Sequence, residues 1–354
     1  MNKLRFGICG LGFMGRTHLA RLQDHPRAEV VAVCDRDPAR RAGDWSGTPG
    51  NLELGNRIRP DVLRAVTTYE DPPALLADSR VDAVVIALPT ALHAPLAVAA
   101  LEGGKHVLCE KPMALSVGEC DRMLAAARAA RRTLMIAHCI RFWPQYELIK
   151  RYVDEGRLGP LRFVSLRRLT SPPGYSSDGW LHDGAQSGGA LLDLHIHDID
   201  FVQLLCGLPS SLAAVGSRGP SGALEHVAAS YRYADGCYAL LEGGWALTPP
   251  RPFEMGIVVH GAQGTLEWSS AGGQEVRFYD GSSARSLSCA GDAYAQEDDY
   301  FVRCVLDGHA VDRCPPTASR LSVALAWLAE RAIKSGRVVP LSARLRAAWL
   351  SQER

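Results

Sequence analysis

The sequence predicts two architectures in succession: a doubly wound, parallel α/β domain over 1–137, then an α+β domain with a large, mostly antiparallel sheet over 138–354. Three observations predict it. A short apolar run, Leu4 to Cys9, meets a glycine turn, Gly10-Leu11-Gly12-Phe13-Met14-Gly15, and then a helix-like stretch through Leu19 and Leu22. Apolar strands and helical periods then alternate as far as residue 137, as a parallel sheet with crossover helices requires. Between Leu212 and Phe278 the pattern changes to short strands joined by glycine turns, the signature of antiparallel hairpins.

Each element has its own justification. In the glycine turn, Gly10 permits the sharp bend, Gly12 lets a pyrophosphate approach the backbone, and Gly15 lets the helix lie close to the strand. Phe13 and Met14 complete the helix N-terminus that would face the phosphates. The second strand, Glu29 to Cys34, ends at Asp35, twenty residues past the last glycine, where a carboxylate can accept the adenosine ribose hydroxyls. Asp35 favours NAD over NADP, whereas the adjacent Arg36 could pair with a 2′-phosphate, so NADP stays open as the cofactor.

Residues 43–51 are dense in turn formers and read as an inserted loop, with Trp45 either an apolar anchor or a cover for the adenine side. A short helix is expected over Tyr69 to Leu76, and a doubly buried strand over Val81 to Leu88. Leu88, Pro89, Thr90 and His93 follow the carboxyl end of that strand, where doubly wound folds hold their ligands. A helix from Ala94 to Gly103 leads to the strand His106 to Cys109 and then to Glu110-Lys111-Pro112, which places an ammonium at the same crevice. The helix Gly118 to Ala130 and the strand Met135 to Ala137 close the first domain.

In the second domain, helical spacing covers Tyr146 to Glu155, and Leu161 to Leu166 reads as a strand. Gly188-Gly189 then opens a helix on which Asp193 and His197, four apart, share one face with Asp200 a turn further on. A histidine has the intrinsic pKa for proton transfer near neutrality, and an aspartate one turn away can orient it. A capping carboxylate beside a structural histidine is the alternative; His195 points the other way, and no metal site is assigned. Tyr175, Trp180 and His182, in the loop before the glycines, and Arg141 are candidate substrate contacts. Helices over Asp298 to Leu306 and Ala318 to Ser335 follow the sheet, the second a candidate to pack back on the first domain.

Bulk properties exclude several classes. With 47% hydrophobic residues in 354 the chain can fill two cores, and a formal charge of +1 supplies no field for nucleic acid or an anionic membrane. No apolar run reaches the ~18 residues of a membrane span, and the N-terminal run is broken by glycines, so a cytoplasmic protein without a signal peptide is expected. Ten scattered cysteines without a CxxC pair point to buried free thiols.

The glycine turn, Pro89-Thr90-Ala91-Leu92-His93 and Gly104 to Pro112 together resemble the glucose-fructose oxidoreductase / inositol dehydrogenase / rhizopine-catabolism (Gfo/Idh/MocA) family of NAD(P)-dependent oxidoreductases. Arg141-Phe142-Trp143-Pro144, Gly156-Arg157-Leu158-Gly159 and the run from Gly188 to Asp200 resemble its second-domain markers. The resemblance implies Lys111, Asp193 and His197 as the catalytic set: the lysine polarises a hydroxyl oxygen, the histidine takes its proton, and the aspartate holds the geometry. It also implies a sugar, inositol or polyol substrate, and an open sheet face packed against a second subunit in a dimer or tetramer. Three other outcomes remain open on the same fold: a glycosidase-like enzyme using transient oxidation, an NADPH-dependent carbonyl reductase, and a dinucleotide- and sugar-sensing regulator without turnover.

Overall fold

A computed structural model describes residues 3–46, 50, 58–174, 176–343 and 347. The chain forms two compact units. The first comprises Met1–Cys139, Gly174–Trp180 and Ala293–Arg320; the second comprises Ile140–Pro173, Leu181–Asp292 and Leu321–Arg354. The chain therefore returns twice to the first unit after the division expected at 137.

The first unit is built on six parallel strands: β1 (Leu4–Cys9), β2 (Ala28–Cys34), β3 (Thr67–Tyr69), β4 (Ala83–Ile86), β5 (His106–Glu110) and β6 (Leu134–Ala137). Their order is β3-β2-β1-β4-β5-β6. The order reverses between β1 and β4, so the crevice for a ligand opens at their carboxyl ends. Phe6, Ile8, Val84, Val85, Val107 and Leu108 are wholly buried, as strands covered on both faces demand. The helix Val117–Ala130 starts on a capping box: Ser116 Oγ accepts the Glu119 amide at 3.3 Å and donates to the Glu119 carboxylate at 2.9 Å.

Two local differences from the sequence reading lie in the β2–β4 crossover. Tyr69 ends the strand β3 rather than starting a helix, and the helix covers Pro72–Leu76, capped by Asp71 accepting from the Ala74 amide. A further short helix, Pro60–Ala65, precedes β3. The helix Ala293–Asp307 belongs to this unit, and its Phe301 ring lies 6.0 Å from that of Phe6.

The second unit carries a nine-stranded sheet: β7 (Leu161–Leu169), β8 (Ser211–Arg218), β9 (Leu224–Arg232), β10 (Tyr238–Gly244), β11 (Glu254–Gly261), β12 (Gly264–Ser269), β13 (Val276–Tyr279), β14 (Ala284–Leu287) and β15 (Val339–Pro340). The order is β14-β13-β12-β11-β7-β10-β9-β8-β15. Every pairing is antiparallel except β7 with β10, where Leu166 lies opposite Leu241. Alternation is clean: Met255, Ile257 and Val259 are buried, whereas the intervening β11 side chains are half-buried. On the other face Val215, Tyr238 and Leu240 are exposed, and Phe163 stacks on Tyr238 at 5.8 Å. All ten cysteines are free, most of them buried, and no helix among the described residues is long and apolar enough to cross a membrane.

Candidate functional site

The glycine turn is shaped by close approaches that only glycine tolerates. Gly10 has φ +93°, and a Cβ there would lie 2.3 Å from the Ala87 carbonyl oxygen; one on Gly15 would lie 1.7 Å from the Gly10 carbonyl oxygen. A Cβ on Gly12 would meet nothing within 4 Å, so this side of the turn is open. Gly12 caps the helix Phe13–Leu22 without a side-chain acceptor, and its first turn holds no acidic residue. The first-turn amides of Phe13, Met14 and Gly15 thus have no intrahelical acceptors beside the open side of Gly12, a fit for a pyrophosphate.

Asp35 is only 6% exposed, and its carboxylate ties the end of β2 to the glycine turn. Oδ2 accepts the Leu11 amide at 2.7 Å and Oδ1 the Asp37 amide at 2.9 Å. Arg36 is exposed beside it; Arg40 approaches the Asp35 carboxylate at 3.8 Å and Arg41 donates to the Asp35 carbonyl. Neither Arg40 nor Arg41 stood out in the sequence, although both lie within six residues of Asp35. The Trp45 ring centroid lies 5.9 Å from the Arg16 guanidinium carbon, and Gly50 lies against the Phe13 ring.

The turns after β4 and β5 are joined by one imidazole. His93 is buried, with Nδ1 2.8 Å from the Pro112 carbonyl and Nε2 2.8 Å from the Leu88 carbonyl. Burial holds its pKa below the ordinary value, so the ring is neutral and donates to one carbonyl at a time. Pro89 is half-buried and Thr90 buried in the first of these turns. Glu110 is buried and accepts the Lys111 amide through Oε2 at 3.1 Å, whereas Lys111 itself is half-buried and followed by the buried Pro112. The first unit therefore gathers Gly10 to Gly15, Asp35, Leu88 to His93 and Glu110 to Pro112 at one end of its sheet.

In the second unit the run from Gly188 to Asp200 is two helices, Gly189–Asp193 and Ile196–Cys206, where the spacing predicts one. The reason is a widened turn: the His195 amide donates to the Ala190 carbonyl, five residues back, at 2.8 Å. Asp193 ends the first helix, half-buried; His197 lies in the first turn of the second, 8% exposed. Asp200 does not join an open polar stripe. It is fully buried and accepts Arg141 Nε at 2.7 Å and Nη2 at 2.8 Å, with Ser322 Oγ donating at 3.2 Å. Arg141, a candidate substrate contact, thus commits this end of its guanidinium to a core ion pair.

Asp198 forms a second buried pair, with Arg168 at 2.9 Å, and Arg168 also donates to the Tyr146 hydroxyl. Neither pair has a local signal, since the arginines come from distant elements. His195 is fully buried against Gly243, and burial pushes its pKa down to about 3, so it stays neutral. His182 Nε2 lies 3.1 Å from the Pro173 carbonyl, and its ring meets Trp245 edge-on at 6.2 Å. Trp180 is half-buried in the first unit, and Tyr175 lies outside the described residues. Among the described residues no group of His, Cys, Asp and Glu could hold a metal ion.

A doubly wound sheet with an uncapped glycine turn and an acidic end to its second strand defines a dinucleotide-binding domain. Residues 4–138 match the oxidoreductase family, NAD-binding Rossmann fold, and residues 146–267 match the Gfo/Idh/MocA C-terminal domain, so the chain belongs to the Gfo/Idh/MocA family. It is similar to the inositol 2-dehydrogenase of Rhizobium meliloti, 28% identical over 348 residues, covering 94% of this chain and 96% of that one. It is also similar to the 2,7-anhydro-N-acetylneuraminate hydratase of Escherichia coli, 28% identical over 272 residues, covering 75% of this chain and 67% of the relative. The fold is shared with levoglucosan dehydrogenase solved with NADH and levoglucosan, at TM-score 0.83 and 21% identity over 96% of this chain and 99% of that one.

Proposed function

We propose that this protein is an NAD-dependent dehydrogenase acting on a secondary alcohol of a sugar, inositol or polyol. The observation that carries this reading is the lysine turn at the end of β5, in the same sheet as an open, uncapped glycine turn. NAD, when bound, supplies the hydride acceptor. The first-turn amides of Phe13 to Gly15 would hold its pyrophosphate, and Asp35 its adenosine ribose. By the family resemblance, Lys111 is the group that would polarise the substrate hydroxyl oxygen, His197 the one that would receive its proton, and Asp193 the one that would orient the imidazole. Arg36 and Arg40 are the side chains that would admit NADP as a second cofactor.

The test is a panel of inositols, aldoses, sugar acids and polyols offered with NAD and then NADP, read as absorbance of the reduced nicotinamide. Reduction with one substrate class supports the dehydrogenase. The similarity to a hydratase favours a second reading, in which oxidation is transient; this predicts substrate conversion by mass spectrometry without net cofactor reduction. Tight dinucleotide binding with neither outcome would overturn both.

We further propose a cytoplasmic homo-oligomer formed through the exposed sheet face. Val215, Tyr238 and Leu240 on that face are apolar and uncovered in the single chain. Light scattering after size exclusion is expected to give at least a dimer mass, and Leu240→Glu to shift it towards the monomer. A monomeric wild type would exclude this assembly.

A further inference from the structure

The first unit holds a buried charged cluster that the proposed reaction does not use. His18, wholly buried on the helix Phe13–Leu22, has Nδ1 2.7 Å from Asp298 Oδ1 and Nε2 3.1 Å from Glu110 Oε1. Glu110 accepts the Lys111 amide through its other oxygen. The result is a continuous chain: Asp298 on the helix Ala293–Asp307, His18, Glu110, and the backbone of Lys111.

The chemistry of the ring decides how the two carboxyl groups are held. An imidazole between two carboxylates satisfies both only when both nitrogens donate, that is, as an imidazolium. Burial opposes the charge, but Asp298 and Glu110 together hold the His18 pKa well above the ordinary histidine value. The neighbours complete the balance. Glu297, also wholly buried, has neither oxygen hydrogen-bonded among the described residues; burial, with the negative charges of Glu110 and Asp298, pushes its carboxyl well up, so it is neutral. Arg21 and Arg313 face Asp298 and Glu297 respectively, and the buried phenol of Tyr294 is pushed up beside them. One imidazolium therefore stands between two carboxylates in a site shielded from water, where such bonds are strong and directional.

We propose that His18 is a positioning residue for Lys111: clamped by Asp298, it fixes the Glu110 carboxylate that holds the Lys111 amide. The inference rests on the reading of Lys111 as the polarising group. It also links two tasks physically, because the helix that carries His18 is the one whose N-terminus would hold the pyrophosphate. The glycine turn and the lysine turn are thereby tied to each other through one ring. His93 performs the complementary task on the far side of the turn, holding the carbonyl of Pro112.

The test uses His18→Gln in the full chain, which keeps a donor but removes the charge. Hydrogen exchange is followed in peptides covering 107–115 and 4–22, NAD affinity by calorimetry, and kcat on the substrate found in the panel. Faster exchange confined to 107–115, by about tenfold, is expected. With it should come a fall in kcat of about 10- to 100-fold at NAD affinity unchanged within about twofold. Unchanged exchange and kcat would overturn the proposal. So would exchange rising equally in 4–22 with NAD affinity falling in step, because the ring would then only support its own helix. Should His18→Gln fail to fold, Asp298→Asn, which keeps the shape and removes one clamp charge, carries the same readouts. Wild-type turnover in Lys111→Ala would sink the lysine assignment alone, since the exchange measurement does not depend on turnover.

Discussion

Lys111→Ala is expected to lower kcat by about 10²- to 10⁴-fold, the range found for removing a positioned acid–base or electrostatic group. The argument is local. The amide of residue 111 is what Glu110 holds, so an alanine keeps that hydrogen bond and the turn keeps its path. Lys111 is half-buried, so truncation opens no large core cavity. Asp35, which would hold the adenosine ribose, is fixed by the Leu11 and Asp37 amides, and the substitution leaves both bonds in place. NAD affinity by calorimetry should therefore stay within about threefold while turnover is lost, which is the signature of a group acting mainly in the transition state. A variant with near wild-type kcat would remove Lys111 from the reaction. Loss of NAD binding in parallel would move it into the cofactor site.

What the sequence made legible was short-range. The glycine turn, Asp35 and the apolar runs of β1, β4, β5 and β6 carry their conformations in contiguous residues, because turn sterics and doubly buried strands leave local signals. The strand β3 has three residues, too few for any periodicity to separate it from the helix that follows. The break at Leu194-His195 is one widened turn inside a run whose apolar spacing is helical on both sides, so periodicity passes through it. The residues proposed for catalysis, Lys111, Asp193 and His197, were read as types in order. Long-range pairings could not be read that way. His18 meets Asp298 across 280 residues, and Arg141 meets Asp200 across 59, and no local pattern announces either pairing. Glu110 and His93 illustrate the same limit: His93 spends both ring nitrogens on neighbouring carbonyls, and Glu110 divides its oxygens between the Lys111 amide and the distant His18 ring.

Asp200→Ala is expected to destabilise the second unit by about 3–5 kcal/mol, the cost of leaving one partner of a buried ion pair uncompensated. The Arg141 and Asp200 side chains are 3% and 0% exposed, and both carboxylate oxygens accept from the guanidinium, so water cannot replace the lost partner without opening the core. Ser322 also loses its hydrogen bond to Asp200. Asp200→Asn, which keeps the shape and one acceptor, should cost less. The double substitution Arg141→Met with Asp200→Leu should recover much of the loss, because it removes both charges and refills the volume with apolar atoms. Urea unfolding followed by tryptophan fluorescence reads these differences as shifts in midpoint, with Trp245 and Trp268 buried in the same unit as reporters. If the midpoint shift corresponded to a loss of less than about 1 kcal/mol, the pair would be behaving like a surface salt bridge. Arg141 would then remain a candidate substrate contact. A loss near the upper value would instead leave the guanidinium to the core and its charge unavailable to any ligand.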